Sequence, residues 1–584
     1  MNQLLSDSRL ANIGANTVLD GFETYMRRFH EITRRAKIRF ENRDWAGMQV
    51  DAAERLEMQE QAVTQTVNQV GELLEGRSDE RLVWASVKAV YSGLIARQDN
   101  WELAETFFNS VSRRVFPRSG VDPQLDFVDT DFDVPPTKSK QLIYKTYTRS
   151  ASVRALIRSI IKDANFEPPF EDLQRDVDLV ATQIKATLKE IGALQVIEWA
   201  EIIRSVFFRR RAAYIMGRLH SGSHVVPFVL AFRHQPEGIV IDAVLLDEND
   251  ISVLTSFSRS YFHVDAERPY DLVRFLRLMM PRKRVAELYI SLGFNKHGKT
   301  ELYRDILHHV TYTQDKFDIA RGQRGMVMIA FTMPSFDMLI KIIKDRFDPP
   351  KRTDHQAVKD KYHLVFMHDR AGRLIDAQQF EQLRFRRSNF TEDLLAELLQ
   401  VASQTVSLEG DYVVIQHAYI ERRIIPLNLY VNEADEEAAR QAVIDYGQAI
   451  KDLAATNIFP GDLLTKNFGV SRHGRVIFYD YDEIMLLTDC KFKRFPPARF
   501  YEDDMMDVPH FGVDDDDIYP EQFPQFLGLR DELYQVFVQH HADLFDADYW
   551  RNVQVRVRED NPPPIYPYFS DRRLSATIER GGSG

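Results

Sequence analysis

Residues 434–484 constrain the fold of this chain more than any other segment. Apolar residues at helical spacing predict an amphipathic helix over 434–455. A polar loop follows, in which Asp462 and Asn467 have the spacing D-x-x-x-x-N, and two short apolar runs then flank the hairpin turn S-R-H-G. The second run ends at Asp480. This order predicts that a loop and a hairpin bring three oxygen-bearing side chains together.

Such a set of side chains matches the needs of phosphoryl transfer. A carboxylate must orient the attacking hydroxyl, and Mg²⁺ must be held by an amide oxygen and a second carboxylate. Asp462 can supply the first group, and Asn467 with Asp480 the second. In protein kinases the corresponding residues occur in the motif H-R-D-x-x-x-x-N, which is followed by a hairpin and then by the motif D-F-G. The D-x-x-x-x-N spacing alone is common, so the interpretation depends on the helix, the hairpin and the terminal aspartate around it.

The region before this segment should supply a phosphate-covering loop and a strand lysine. The residues R-G-Q-R-G (321–325) precede the strand-like run MVMIAFT; their glycines let backbone N–H groups approach phosphate, and the arginines add positive charge. Lys341 lies in the next strand-like run, and a helix is predicted at about 353–367. Taken alone, the loop is equally typical of a surface turn. Taken alone, the lysine is typical of a solvent-facing side chain. Their order along the chain favours the functional interpretation.

Composition excludes several classes of protein. The 584 residues are 44% hydrophobic and 28% charged, which is typical of a soluble globular protein and excludes disorder and small disulfide scaffolds. A net charge of −12 argues against a mainly nucleic-acid-binding protein. No run reaches the about 18 apolar residues that span a bilayer, and the N-terminus lacks the pattern of a signal peptide. The single cysteine, Cys490, fits a reducing compartment, so we expect a cytoplasmic protein without membrane or nucleic-acid partners.

The chain changes character near residues 310–316. The first third has helical periodicity, as in the apolar face of F22, Y25, M26 and F29, and a β-rich hairpin is predicted over 225–246. Later, strand-like runs such as YVVIQHAYI and IIPLNLYV alternate with helices. We predict an α+β protein in three parts: a mainly α-helical domain with a small β element over 1–314, a bilobal protein-kinase-like domain over 315–578 and a flexible tail over 579–584.

A second phosphate-binding pattern competes with this interpretation. Residues 293–300 fit G-x-x-x-x-G-K-[ST], the Walker A pattern. That motif requires a buried strand before the loop, whereas the preceding RKRVAELYISL has the charge and spacing of a helix. The alternative is a corner between two helices with lysines on its surface, which we favour.

Many ordered segments make the sequence similar to a known family along nearly its whole length. They are AETFFNSV (104–111), RSYFHV (259–264), ELYISLGFNKHGKTELYRD (287–305), RGMVMIAFT (324–332), KIIKDRF (341–347), HDRAGRLID (368–376), YIERRIIPLN (419–428), the 457–484 block and HADLFDADYW (541–550). The chain resembles the bacterial isocitrate dehydrogenase kinase/phosphatase family. The resemblance implies a helical regulatory domain followed by a kinase-like domain.

It also implies a bifunctional enzyme, in which one active site phosphorylates a serine of isocitrate dehydrogenase and removes that phosphate. This reaction controls flux between the Krebs cycle and the glyoxylate bypass. The resemblance further implies ATP, with ADP as its product, and Mg²⁺ as cofactors, AMP as an allosteric effector, isocitrate dehydrogenase as protein substrate and a homodimer.

The resemblance assigns site residues by position. The family's ATP-binding segment corresponds to Ala320, Arg321, Gly322, Gln323, Arg324, Gly325 and Met326. Its nucleotide lysine corresponds to Lys341, its catalytic-loop aspartate to Asp462, and its metal ligands to Asn467 and Asp480.

Further assignments rest more heavily on the resemblance. An active-site aspartate of the family corresponds to Asp376, for which the residues themselves predict only a loop. Asp482 and Glu483 add carboxylates beside the metal site and are candidates for positioning a hydrolytic water. The strand ending in Glu421 and Arg422 is expected to form the hinge that binds adenine.

Two departures from ordinary protein kinases leave questions open. Leu464 stands where the catalytic loop usually has a basic residue, although Lys466 can replace it. The predicted helix at 353–367 has no glutamate to pair with Lys341, so that partner is unassigned. The motif is also similar to that of choline and aminoglycoside kinases. A small-molecule phosphotransferase and a pseudokinase that binds AMP are therefore the alternative functions.

The acidic surplus is concentrated in one segment. Residues 1–314 contain equal numbers of basic and acidic side chains, whereas 501–550 contain 1 basic and 14 acidic ones. The segment follows Asp480, where kinases carry their activation and substrate-docking loops. It is either a solvated acidic loop or a docking surface for a basic patch on the protein substrate, where charge mainly raises the association rate.

Overall fold

The chain forms two compact units. The computed structural model describes residues 6–74, 77, 80–128, 135–148, 150–256, 261–322, 324–347, 353–368, 372–494, 517–559, 562–569 and 572–575. The first unit comprises residues 1–255, 260–311 and 568–584, and the second comprises 256–259 and 312–567.

The helices and strands alternate in the order expected of an α+β protein. The helices are α1 (Asp7–Glu41), α2 (Trp45–Leu73), α3 (Arg81–Ile95), α4 (Trp101–Val115), α5 (Val153–Ala164), α6 (Leu173–Glu190), α7 (Glu248–Leu254), α8 (Pro269–Met279), α9 (Val285–Ser291), α10 (Asn295–Tyr312), α11 (His355–His368), α12 (Glu392–Val401), α13 (Leu427–Glu433), α14 (Glu436–Ala454), α15 (Phe523–Phe526), α16 (Asp531–His541) and α17 (Ala547–Arg558). The strands are β1 (Tyr144–Thr148), β2 (Trp199–Ile203), β3 (Phe207–Arg209), β4 (Ala212–Ser221), β5 (His224–Gln235), β6 (Gly238–Leu245), β7 (Asp318–Ile319), β8 (Met328–Met333), β9 (Phe336–Ile343), β10 (Gln378–Arg386), β11 (Val406–Glu409), β12 (Tyr412–Arg422), β13 (Ile425–Pro426), β14 (Ile458–Phe459), β15 (Phe468–Val470), β16 (Val476–Phe478), β17 (Met485–Leu486), β18 (Lys491–Phe492) and β19 (Asp517–Ile518).

The first unit joins a group of long helices to an antiparallel sheet. The predicted apolar face of α1 is buried as expected. The sheet has the order β1-β2-β4-β5-β6, and α5 and α6 share a hydrophobic core with it. The predicted hairpin over 225–246 is confirmed as β5 and β6, which pair from Gln235 opposite Gly238. Periodicity therefore located both the helical and the β parts of this unit.

The Walker A alternative is wrong. The segment before Gly293 is α9, and Gly298 and Lys299 lie inside α10. A Cβ on Gly298 would come within 2.5 Å of Ile290 Cγ1, so this glycine serves the close contact of two helices. The phosphate-cradling loop after a buried strand that the motif requires does not form here.

A segment beyond the last helix of the second unit belongs to the first unit. Tyr568 donates its hydroxyl to Asp242 Oδ2, and Arg573 donates to Asp242 Oδ1 from Nη2 at 3.1 Å. Arg573 also forms an antiparallel bridge with Ala243, and Leu574 lies in the core of the sheet with 3% of its surface exposed. Asp242 also accepts a hydrogen bond from Arg573 Nε at 3.2 Å. Three hydrogen bonds to a buried carboxylate, together with a buried leucine, make Tyr568, Arg573 and Leu574 an integral part of the first unit.

Replacement of Leu574 by alanine should therefore destabilise the first unit. A buried Leu→Ala change costs about 2–5 kcal/mol through lost transfer energy and a cavity. Leu82→Ala is the matched control, because Leu82 lies in the same unit with 84% of its surface exposed. Thermal unfolding of the full chain would show the difference; equal melting temperatures for the two variants would contradict the docking of this segment.

The second unit begins with a small antiparallel sheet. Its order is β10-β12-β9-β8-β7, so β9 is the central strand, and β11 pairs with β12. The strand-like runs predicted around 326–344 and the helix predicted at about 353–367 are confirmed as β8, β9 and α11. The run IIPLNLYV was expected to be β-rich, but only Ile425 and Pro426 are in a strand and the helix α13 follows. Leu427 and Val431, four residues apart, are both buried, so packing on one helical face outweighs the strand propensity of the run.

The rest of the second unit is mainly helical. The predicted helix over 434–455 is α14, and its predicted apolar face is buried in a core shared with α16 and α17. The predicted hairpin is β15 and β16, which pair from Val470 opposite Val476. Within the described ranges, no helix combines the length and the apolar character needed to cross a membrane.

Three sequence predictions fall on other parts of the chain. Gln323, the acidic residues from 501 to 516 and the tail over 579–584 lie outside the described residues. Asp517, at the end of the acidic run, forms an ion pair with Lys493 at 2.7 Å, and its side chain is fully buried. The charge of this residue is therefore turned inward and does not contribute to a docking surface.

Candidate active site

A cavity of about 820 Å³ in the second unit collects most of the predicted site residues. Its lining includes Ala320, Arg321, Gly322, Arg324, Gly325, Met326, Lys341, Glu421, Arg422, Asp462, Asn467, Asp480 and Asp482. Asp376 and Glu483 do not line it. The size is within the range of small-molecule and cofactor sites, about 300–1,000 Å³. Residues far apart in sequence therefore share one concave surface.

Lys341 is held by a buried glutamate of the neighbouring strand. Its Nζ lies 2.7 Å from Glu421 Oε1 and donates to the carbonyl oxygen of Tyr479 at 3.0 Å. Tyr419 is directly opposite Lys341 in the antiparallel pair β9–β12, so Glu421, two residues further, lies on the same face of the sheet. The lysine and glutamate side chains are only 9% and 1% exposed. This pair supplies the acidic partner that the sequence left unassigned.

The loop over 461–467 holds Asp462, the predicted catalytic carboxylate, close to Asn467 and Glu483. Asp462 Oδ1 accepts a hydrogen bond from the backbone N–H of Leu464 at 3.0 Å. Burial raises the pKa of Asp462; the Leu464 N–H opposes this rise and the nearby Glu483 charge adds to it. The backbone N–H of Tyr479 donates to the carbonyl oxygen of Asn467 at 3.1 Å, which brings Asn467 next to the strand end that carries Asp480.

Gly461 permits this loop to approach the segment after Asp480. Its φ is +80°, in the left-handed region that side-chain-bearing residues avoid. A Cβ there would lie 2.5 Å from the carbonyl oxygen of Glu483. A glycine at this position therefore allows Asp462 and Glu483 to lie side by side.

Asp376 lies on a loop that is hydrogen-bonded to Phe478 and Tyr481, which lie before and after Asp480 in the sequence. The N–H of Ile375 donates to the Phe478 carbonyl at 3.1 Å, and the Tyr481 hydroxyl donates to the Ile375 carbonyl at 2.7 Å. The Asp376 carboxylate accepts a hydrogen bond from Gln378 Nε2 at 2.8 Å. The structure thus places Asp376 beside the D-Y-D segment but outside the cavity lining, and its assigned role stays a prediction.

Arg373 anchors both this loop and the hairpin to α14. The guanidinium is fully buried and donates to Asp445 at 2.7 and 2.8 Å, to Asp452 at 2.8 Å and to the Val476 carbonyl at 3.1 Å. The N–H of Val476 donates to Asp445 at 2.7 Å. Burial acts to raise the pKa of Asp445, but Arg373 and Arg475 outweigh it and lower that pKa to about 2. The role of Arg373 could not be predicted from the sequence, because a lone arginine in a loop carries no periodic or motif signal.

The predicted phosphate-covering loop carries arginines that already have carboxylate partners. Arg324 Nη1 lies 2.7 Å from Glu397 Oε1, and Arg321 pairs with Glu433. Both arginine side chains are mostly exposed. The backbone N–H of Ala320 donates to the Ala330 carbonyl at 3.0 Å, so the loop begins from the edge of the small sheet.

The oxygen donors of the cavity fit Mg²⁺ bound together with phosphates. Asn467, Asp480 and Asp482 all line the cavity, and amide and carboxylate oxygens are the ligands that Mg²⁺ prefers. Within the part of the chain that the structure describes, no group of three or more His, Cys, Asp or Glu could hold a metal alone. Mg²⁺ commonly uses one or two carboxylates and completes its shell with substrate phosphates and water.

These features define the class of protein. A five-strand path with a lysine on its central strand precedes a helical lobe, in which a loop supplies an aspartate and an asparagine and a hairpin supplies a second aspartate. Together they make the second unit a protein-kinase-like domain, which follows a largely helical first unit.

The comparisons with known proteins give the particular family. Residues 315–570 match the model of the isocitrate dehydrogenase kinase/phosphatase (AceK) kinase domain, and residues 15–314 match that of the regulatory domain. The chain is 46% identical over 566 residues to an isocitrate dehydrogenase kinase/phosphatase from Anaeromyxobacter sp., covering 97% of this chain and 98% of the relative. A relative of that name from Polaromonas sp. is 39% identical over 97% of this chain and 94% of its own length. The chain belongs to the isocitrate dehydrogenase kinase/phosphatase family.

Proposed function

We propose that this chain is a bifunctional enzyme that transfers phosphate from ATP to a serine of isocitrate dehydrogenase and also removes it. Such an enzyme controls flux between the Krebs cycle and the glyoxylate bypass. The observation that carries the proposal is the convergence of Lys341, Asp462, Asn467 and Asp480 on one cavity of about 820 Å³. The family membership, over nearly the whole chain, supports both the activity and the protein substrate.

Each residue has a defined task in the kinase direction. Asp462 orients the serine hydroxyl and accepts its proton during transfer. Lys341 binds the α- and β-phosphates, and Asn467 and Asp480 would hold Mg²⁺. When bound, ATP would supply the phosphoryl group, and Mg²⁺ would neutralise the charge that develops on it during transfer. ADP is the product of this half of the cycle.

In the phosphatase direction the same cavity would hold the phosphoserine. We assign the orientation of the hydrolytic water to the carboxylates around the D-Y-D segment: Asp376, Asp482 and Glu483. The short hydrogen-bonded path from Ile375 to Phe478 and Tyr481 supports the nearness of Asp376 to this segment. We extend the proposal to AMP as an allosteric effector, a homodimer and a cytoplasmic location, as the resemblance implies.

Transfer of radiolabel from ATP to purified isocitrate dehydrogenase tests this function. We expect label on a serine of the dehydrogenase in the presence of Mg²⁺ and its release on further incubation with ADP or AMP. Label on a soluble alcohol, with none on the protein, would instead identify a small-molecule phosphotransferase. Nucleotide binding without any transfer would identify a pseudokinase.

Replacement of Gly461 by alanine should damage catalysis more than stability. The added Cβ would collide with Glu483 and force φ out of the left-handed region, a strain of about 1–3 kcal/mol. A displacement of the catalytic aspartate by about 1 Å can lower the rate by about 100-fold.

Gly410→Ala is the matched control for this change. Gly410 lies in the β11–β12 turn with φ +60°, and a Cβ there would meet no atom within 4 Å. Phosphate transfer and urea unfolding would be measured for both variants. Equal transfer rates would show that the contact between Gly461 and Glu483 does not position the catalytic loop.

A further inference from the structure

The helix that precedes β10 lacks the usual partner of a kinase lysine. Protein kinases hold this lysine with a glutamate of that helix. In α11 the single carboxylate is Asp360, which is exposed and accepts a hydrogen bond from Gln356 at 2.8 Å. Of the helix, Tyr362 lines the cavity and stacks on Tyr419 with ring centroids 3.8 Å apart. Lys361 Nζ instead donates to the Ile484 carbonyl at 2.7 Å, outside the cavity lining.

Glu421 fills the missing position from within the sheet. Its contact with Lys341 joins the two adjacent strands β9 and β12, so both ends of the ion pair belong to one rigid element. An ammonium group has three donors. Glu421 Oε1 and the Tyr479 carbonyl accept two of them, which leaves one donor for a phosphate oxygen in the cavity, counting partners among the described residues.

The energetics of the pair argue for a positioning role. Glu421 Oε2 is buried and accepts no hydrogen bond in the described parts of the chain. Burial of a charged pair with an unsatisfied oxygen costs free energy that the attraction does not reliably return, so such a pair is poor evidence for stability. Its presence at the nucleotide lysine is better explained by orientation of that lysine.

We propose that Glu421 is the positioning residue that orients Lys341 for the nucleotide phosphates, in place of a helix glutamate. The proposal rests on the proposed function, because it requires a nucleotide in this cavity. It also goes beyond that function. Because Lys341 and Glu421 both belong to the sheet, the orientation of the lysine would not depend on the position of α11.

The test compares Glu421→Gln with three other single variants, Lys341→Met, Glu381→Gln and Asp360→Asn, and with the double variant of Glu421→Gln and Lys341→Met, all in the full chain. Glu421→Gln keeps the shape of the side chain and removes its charge. We expect kcat for phosphate transfer to fall by about 100-fold, as when one preorganised electrostatic group is lost. We expect the affinity for Mg²⁺·ADP to fall by about tenfold, the worth of one hydrogen bond to a charged group. Glu381→Gln, at an exposed position of strand β10 in the same sheet, should change neither quantity.

A double-mutant cycle separates positioning from a structural role. If Glu421 acts through Lys341, Glu421→Gln should weaken ADP binding by less than about twofold in the Lys341→Met background. The same tenfold loss in both backgrounds would overturn the proposal. So would a normal kcat in a Glu421→Gln variant whose melting temperature has fallen, because that result would assign the residue to stability alone.

Asp360→Asn keeps the proposal testable if Glu421→Gln does not fold. The proposal predicts an unchanged kcat for this variant, whereas a fall of 100-fold would make the helix carboxylate the partner of Lys341. ADP binding is measured without isocitrate dehydrogenase. A chain that binds ADP but transfers no phosphate to that protein would therefore refute the proposed function, and the ADP affinities would still decide the role of Glu421.

Discussion

Replacement of Asp480 by alanine should abolish both phosphate transfer to isocitrate dehydrogenase and its removal. Asp480 lines the cavity two residues beyond β16, directly after Tyr479, whose carbonyl accepts a hydrogen bond from Lys341. The change removes a proposed metal ligand and with it the charge stabilisation of the transferred group, a loss of about 10²–10³-fold or more. Both reactions would be followed with labelled phosphate, in the forward direction from ATP and in reverse from the phosphorylated dehydrogenase.

Asp489→Ala is the matched control for this loss. Asp489 lies nearby in sequence but is exposed and does not line the cavity. We expect near-normal rates from it in both directions. Full phosphatase activity in Asp480→Ala, with kinase activity lost, would refute a single site for the two reactions.

Replacement of Arg373 by methionine should lower the free energy of unfolding of the second unit by about 3–5 kcal/mol. Removal of one partner of a buried ion pair leaves an uncompensated charge. Here Asp452 would lose its bond to Arg373, and Asp445 would keep only the ion pair with Arg475 at 3.4 Å. The same change would remove the hydrogen bond from Arg373 to the Val476 carbonyl. The hairpin that precedes Asp480 would then be held less firmly. Urea unfolding of the full chain, monitored together with phosphate transfer, would measure both effects.

Two further variants make this prediction specific. Arg387→Met places the same substitution at an exposed position of the same unit and should change stability by no more than about 0.5 kcal/mol. The addition of Asp445→Asn and Asp452→Asn to Arg373→Met should recover part of the loss, because it removes the stranded charges. A loss below about 1 kcal/mol in Arg373→Met would show that the network does not hold the hairpin.

The parts of the site that are local in sequence could be predicted, and those that depend on distant pairing could not. The helix α14, the turn after Val470 and the spacing of Asp462 and Asn467 follow from periodicity and motif order. The partner of Lys341 could not be predicted in this way, because it depends on the register between β9 and β12, two strands that lie about 80 residues apart in sequence. In this chain the acidic partner lies on strand β12, whereas the protein-kinase pattern places it on the helix after the lysine strand.

Two other differences have the same physical origin. The run at 424–431 has strand-like composition, but the burial of Leu427 and Val431 on one face favours helix α13. Arg373 has no local signal, and its importance depends on two carboxylates about 70 to 80 residues later. Long-range packing decided each case, and a single sequence does not display it.

The packing of Tyr568, Arg573 and Leu574 in the first unit has a consequence for the order in which the two units can fold during synthesis. Domains commonly fold as they leave the ribosome, the N-terminal one first. Here the core around Leu574 and the partners of Asp242 are complete only after the whole second unit has been translated. Until then the first unit is incompletely folded. The apolar site that receives Leu574 and the carboxylate of Asp242 lack their partners during that time. The nascent chain is most exposed to aggregation and to chaperones during that interval.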